Sequence, residues 1–398
     1  MTSTQTSVGI MFRDKTTFVI GAGASAEFGL PVGSQLAQQI RETCKLEYER
    51  NYGSRIANED FAHAVTQGWP EFRGELIYKA LQRIHTAIDT SVSIDAFIHR
   101  NRNDKVLVEM GKALIAWNIA SAEANSRMRT EGYIPGMIET FNRSEITDTW
   151  IGKFTRILFD GVTDARELSK QVRIICFNYD RCIEYYLIES IMVAFDTSRK
   201  DAAEIVSEIE IIHPYGYLGK VPEDLRAAQD DECAFGRPVS YDFPLRKVSS
   251  RIRTYTEQTQ DIALVKRIHS AINSARNLVF LGFGFNNQNL DLMRVMGGLA
   301  TASDEPKNIY ASGKGIAGEV EETLKRRITN IYSHYDFQTR KSYYDKINVC
   351  FDKTCGQLFD THQMNLQKFI LSSFDIMLDG VEEKLMFGVL QASKSIEN

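Results

Sequence analysis

The chain has 398 residues, of which 43% are hydrophobic and 25% charged, and its formal net charge is −5. That length can bury one large α/β domain with insertions or two modest domains, at the balance of an ordinary soluble globular protein. The net negative charge excludes a global basic field, so direct nucleic-acid binding is not expected. The first residues lack a signal-peptide pattern and no apolar run approaches a membrane span, which predicts a cytoplasmic protein without membrane contact.

In chain order, the first predicted strand is residues 16–20, and it runs into Gly21-Ala22-Gly23-Ala24-Ser25. A strand ending in Gly-x-Gly lets the backbone turn sharply and approach a phosphate closely, and a following helix start favours an anion. Ser25 can add a hydroxyl donor. The same turn also serves plain strand–helix packing, and Ala26 stands where the third glycine of a dinucleotide fingerprint is expected. Residues 34–168 then read as a large helical insertion with little strand character. Within it Leu107, Met110, Leu114 and Trp117 repeat at helical spacing, the pattern of one apolar helix face packed on a core.

The second strand, 173–177, leads into Asn178-Tyr179-Asp180. Polar residues at a strand's carboxyl end lie in the crevice where open α/β sheets bind ligands. An asparagine offers a donor and an acceptor for ribose hydroxyls or a water, although Asn178 and Asp180 also suit capping of the next helix. A third strand, 209–213, closes on His213-Pro214-Tyr215-Gly216. A histidine there can act as a general base near neutral pH, although a lone histidine is more often structural. Residues two apart on a regular strand point the same way, which places Tyr215 on the same side as His213. Residues 214–244 read as a loop over a pocket, and 251–276 as one long helix. The fourth strand, 278–283, carries Gly282-Phe283-Gly284 and is followed by Asn287 at a helix start. Strands at 307–311 and 347–351 follow, and 356–398 reads as a helical tail. Six cysteines form no C-x-x-C pair, and no zinc-ligand spacing exists, so free, mostly buried thiols and no metal are expected. Short apolar strands alternating with helices predict a Rossmann-like α/β fold with a parallel sheet, a large helical insertion and a helical C-terminal tail.

Gly21–Ser25 with Gly29-Leu30-Pro31 resembles the phosphate-binding signature of sirtuins, and Asn178-Tyr179-Asp180 resembles their Asn-Ile-Asp motif. The late strand with Gly282 and Gly284 looks most like the sirtuin-like NAD hydrolases of bacterial anti-phage defence. The resemblance covers mainly residues 16–33, 172–219 and 276–318. It implies a sirtuin-like NAD-binding domain over 1–350, with the tail from 351, and NAD as substrate. Catalysis would fall to Asn178 and His213. Gly21, Ala22, Gly23, Ser25, Asp180, Tyr215, Gly282, Gly284 and Asn287 would hold the dinucleotide. It further implies NAD depletion in defence, controlled by homo-oligomerisation or a regulatory protein encoded nearby. A non-catalytic NAD or ADP-ribose sensor is the alternative. Protein deacylation comes third, because the cysteine pairs of the deacylase zinc module are missing. Beside the missing cysteine pairs, the family's His-Gly is Tyr215-Gly216 here, which makes Tyr215 a rival to His213; Val32-Gly33-Ser34 replaces Asp-Phe-Arg, and Asn287 stands where related effectors often have Asp.

Overall fold

The computed structural model describes residues 12–13, 15–49, 53–129, 142–221, 233–295, 307–332 and 337–368. Its centre is a six-stranded, all-parallel sheet. In chain order the strands are β1 (Thr16–Ile20), β4 (Val172–Cys176), β5 (Glu210–Ile212), β6 (Asn277–Leu281), β7 (Asn308–Gly313) and β8 (Ile347–Phe351). A separate antiparallel hairpin supplies β2 (Leu46–Glu49) and β3 (Gly53–Ile56). The spatial order is β5-β4-β1-β6-β7-β8. Numbered along this sheet alone, that is 3-2-1-4-5-6, the doubly wound Rossmann order. The chain builds outward from β1 on one side, crosses back, and builds outward from β6 on the other. The reversal leaves a crevice at the carboxyl ends of β1 and β6, which are paired from Thr16–Asn277 to Ile20–Leu281.

Both faces of the sheet are covered, which explains why its strands are apolar runs rather than alternating ones. Alternate side chains feed two cores. Val19, Ile175, Phe280 and Ala311 point into one core, and Phe18, Ile20, Ile174, Val279 and Tyr310 into the other. The insertion helices up to and including Lys105–Ala124, together with the Ile262–Ser274 helix, cover the first face. The Trp150–Phe159, Cys182–Ala194 and Cys355–Leu366 helices cover the second.

Several expectations change. The insertion is mainly helical but includes the β2–β3 hairpin, whose short LEYE and GSRI segments carry little strand pattern. The Lys105–Ala124 helix is buried on nearly every side instead of along one stripe, because Gly111, Ala113, Ile115 and Ala116 are enclosed as well as Leu107 and Leu114. The long helix expected over 251–276 is two, Tyr255–Gln260 and Ile262–Ser274. Asp261 breaks it by accepting the Leu264 N–H as an N-cap, at 3.0 Å. The tail begins as an integral helix, Cys355–Leu366, packed on the Trp150–Phe159 helix; the expectation for 369–398 lies outside the described residues. All six cysteines are buried and unbridged. No helix among the described residues is long and apolar enough to cross a membrane.

Candidate active site

A cleft of about 830 Å³ opens at the carboxyl edge of the sheet, within the usual size of a small-molecule site. Loops after all six sheet strands reach it. Gly21, Ala22, Gly23 and Ser25 follow β1; Asn178 and Asp180 follow β4; Tyr215 follows β5; Gly282 and Gly284 follow β6. Ser312 and Lys314 close it from β7, and Thr354 from β8. Nine of the residues singled out in the sequence thus meet in one place although up to 263 positions separate them (284 − 21).

The glycines earn their positions by backbone contact. A Cβ on Gly21 would fall 2.6 Å from the Gly282 carbonyl oxygen, and one on Gly282 would fall 2.0 Å from the Ala24 nitrogen. Gly282 also adopts φ +58°, in the left-handed region. The loops after β1 and β6 therefore interlock, main chain on main chain. The amides reflect this: Gly21 donates to the Leu281 carbonyl (2.9 Å), Gly23 to that of Gly282 (3.0 Å) and Ala24 to that of Gly21 (2.9 Å). Gly284, by contrast, has open space where a side chain would begin.

Asn178 stands at the wall of the cleft, 6% exposed. Its Nδ2 donates to the Gly21 carbonyl (3.1 Å) and to the Ser25 hydroxyl (2.8 Å). A backbone carbonyl can only accept, so this contact fixes which end of the amide is nitrogen. Asn178 Oδ1 is buried and has no hydrogen-bond partner among the described residues. Asp180 accepts the Cys182 N–H at 3.1 Å and lies beside the Ser25 hydroxyl; burial raises its pKa. Asp180 thus both receives the first N–H of the Cys182–Ala194 helix and lines the cleft.

His213 and Tyr215 part company. Regular strand geometry ends at Ile212, and the chain turns through Pro214 with a Gly216 N–H to His213 carbonyl bond of 3.1 Å. The same-side expectation therefore fails, since it required a strand continuing through Tyr215. Tyr215 enters the cleft, and its hydroxyl donates to Asn289 Oδ1 at 2.7 Å. His213 lies instead in a groove on the other side, stacked on Tyr217, with Nε2 2.7 Å from Glu184 Oε1. Burial opposes a charge on this ring, but Glu184 and Cys176 outweigh it and hold its pKa well above the ordinary value. The Glu184 carboxylate thus favours the protonated imidazole, and the ring lies outside the cleft in which a general base would act. The 214–244 loop touches the cleft through Tyr215; its other described residues run elsewhere, and 222–232 lie outside the described residues.

Asn287 is exposed and off the cleft, while Asn286 and Asn289, one helical turn apart, line it. Asn286 caps this helix by accepting the Asn289 N–H at 2.9 Å. The sequence reading also missed Asp95, Ser312 and Lys314. Asp95 accepts the Tyr179 hydroxyl from a helix in the insertion, 84 positions away, and no local pattern announces that proximity. Among the described residues no three His, Cys, Asp or Glu side chains are gathered as a metal site. No family model matches the chain, and neither a curated protein nor a solved structure is significantly similar to it.

Proposed function

We propose that the chain is an NAD hydrolase, splitting the nicotinamide N-glycosidic bond to release nicotinamide and ADP-ribose. The observation that carries this reading is the unpartnered Oδ1 of Asn178 in the cleft wall. A buried carbonyl without a partner costs about 1–3 kcal/mol, which a folded chain retains where a ligand completes the bond. A ribose hydroxyl or the attacking water supplies the missing donor. The reaction's transition state is oxocarbenium-like, so holding the ribose and a water in register is what such a residue contributes. Asp180, Tyr215 and the interlocked glycine loops shape the surrounding walls. In the setting the resemblance implies, this activity depletes NAD during anti-phage defence and is restrained by oligomerisation or a partner encoded nearby.

One observation favours a second reading, a non-catalytic NAD or ADP-ribose sensor: the histidine expected as base lies outside the cleft. The test is nicotinamide release by the purified chain, with and without neighbouring gene products, alongside calorimetric titration with NAD. Turnover that falls about 100-fold or more in Asn178→Ala, with the fold intact, supports the hydrolase. Tight NAD binding without nicotinamide release would establish the sensor, and near-normal turnover by folded Asn178→Ala would remove Asn178 from the site.

A further inference from the structure

We infer that Asp95, a residue of the helical insertion, takes the proton from the attacking water; this rests on the hydrolase reading. The carboxylate lies in the same cleft as Asn178 and Tyr215. It sits in the first turn of the Ile94–Arg100 helix, whose N-cap Ser93 accepts the Ala96 N–H at 3.1 Å. Ile94, Phe97 and Ile98 anchor that helix in the core. Oδ1 of Asp95 accepts the Tyr179 hydroxyl, so the residue between Asn178 and Asp180 aims the carboxylate.

The other ionisable groups of the cleft are committed. Both carboxylate oxygens of Glu27 accept backbone N–H groups, from Trp150 and from Gly356, each at 2.9 Å. Asp180 caps Cys182. The Tyr215 hydroxyl donates to Asn289, and burial raises its pKa further. Burial likewise pushes the Cys355 thiol up to about 12. Lys314 is a cation at the rim. Asp95 is held at Oδ1 by the Tyr179 hydroxyl, and burial raises its carboxyl to about 6 against that pull. A group with that pKa is mostly ionised at neutral pH and still basic enough to accept a proton.

The step balances without a further reactant. The bond between the anomeric carbon and the nicotinamide nitrogen breaks, and its electron pair neutralises the pyridinium. Water oxygen bonds to the anomeric carbon, and the water proton passes to the Asp95 carboxylate and on to solvent. ADP-ribose, nicotinamide and one proton result.

Asp95→Asn preserves shape and an acceptor for Tyr179, so the fold should stand. The expected result is a kcat about 100-fold or more below wild type, with the calorimetric Kd for NAD within about threefold. In Asp95→Ala, added formate should restore turnover in proportion to its concentration, which a merely structural role would not produce. Near-wild-type turnover in Asp95→Asn, or an Asp95→Ala protein that formate does not rescue, overturns the inference. If wild type releases no nicotinamide in the same assay, the hydrolase reading itself fails, and this inference falls with it.

Discussion

Two neighbouring side chains show how much a single peptide turn decides. His213 and Tyr215 are two residues apart, yet one completes a buried ion pair with Glu184 and the other enters the cleft. The consequence for His213 is a stability effect. Its pKa is raised in the fold, so the folded chain keeps a proton that the unfolded chain releases from about pH 6.5 upward. That stabilisation is complete below the unfolded pKa and is lost as pH rises through the folded value. Urea titrations from neutral to alkaline pH should therefore show declining stability, and His213→Gln should lower and flatten the profile. NAD turnover by that variant should stay within about threefold of wild type, since the ring lies in the other groove and meets the cleft only at the backbone carbonyl of Asn178, 3.3 Å from Nδ1. A dead but stable His213→Gln would return the histidine to the catalytic machinery. Tyr215→Phe probes the other branch. It leaves Asn289 Oδ1 without its donor, and should reduce NAD affinity about tenfold, the scale of one lost hydrogen bond, read by calorimetry.

The glycine turns after β1 and β6 act as one interlocked element. Their Gly-x-Gly pattern is legible in the sequence, but the pattern does not say whether a phosphate or another backbone comes close. Here another backbone does, and three loop amides are already satisfied by carbonyls. Gly282→Ala should therefore destabilise the fold by about 3 kcal/mol or more, from left-handed strain and from the clash at the Ala24 nitrogen. Gly284→Ala, whose added methyl meets open space, should leave the thermal midpoint nearly unchanged. Equal midpoints for the two variants would contradict the interlock. Strand positions were legible to within two residues, because each is a short apolar run bounded by a polar turn. Helix boundaries were less so: Asp261 reads as one more surface residue until it is seen capping Leu264.

The insertion is bound to the sheet by groups that share the Asn178 segment. Arg181 and Glu123 are 0% and 1% exposed and lie 2.5 Å apart, Nη2 to Oε2, while Glu123 Oε1 accepts the Arg181 backbone N–H at 2.9 Å. Removing one partner strands a buried charge, so Glu123→Leu or Arg181→Met should each cost about 3–5 kcal/mol. Because the pair is a desolvated unit, Glu123→Leu combined with Arg181→Met should regain much of that loss in urea denaturation; additive losses would show the two groups to be energetically independent. The sequence alone determined the fold class, the six parallel strands and nine of the residues that line the cleft. Those signals are local: strand period, turn glycines and polar residues at strand ends all act within a few positions. Only the tertiary structure decided that His213 faces away, that Asn289 rather than Asn287 lines the cleft, and that Asp95 meets Tyr179. Each of those depends on where a turn aims a side chain, or on which distant helix packs over the sheet edge. Such contacts arise from the collapse of the whole chain around its two cores, and no window of neighbouring residues encodes them.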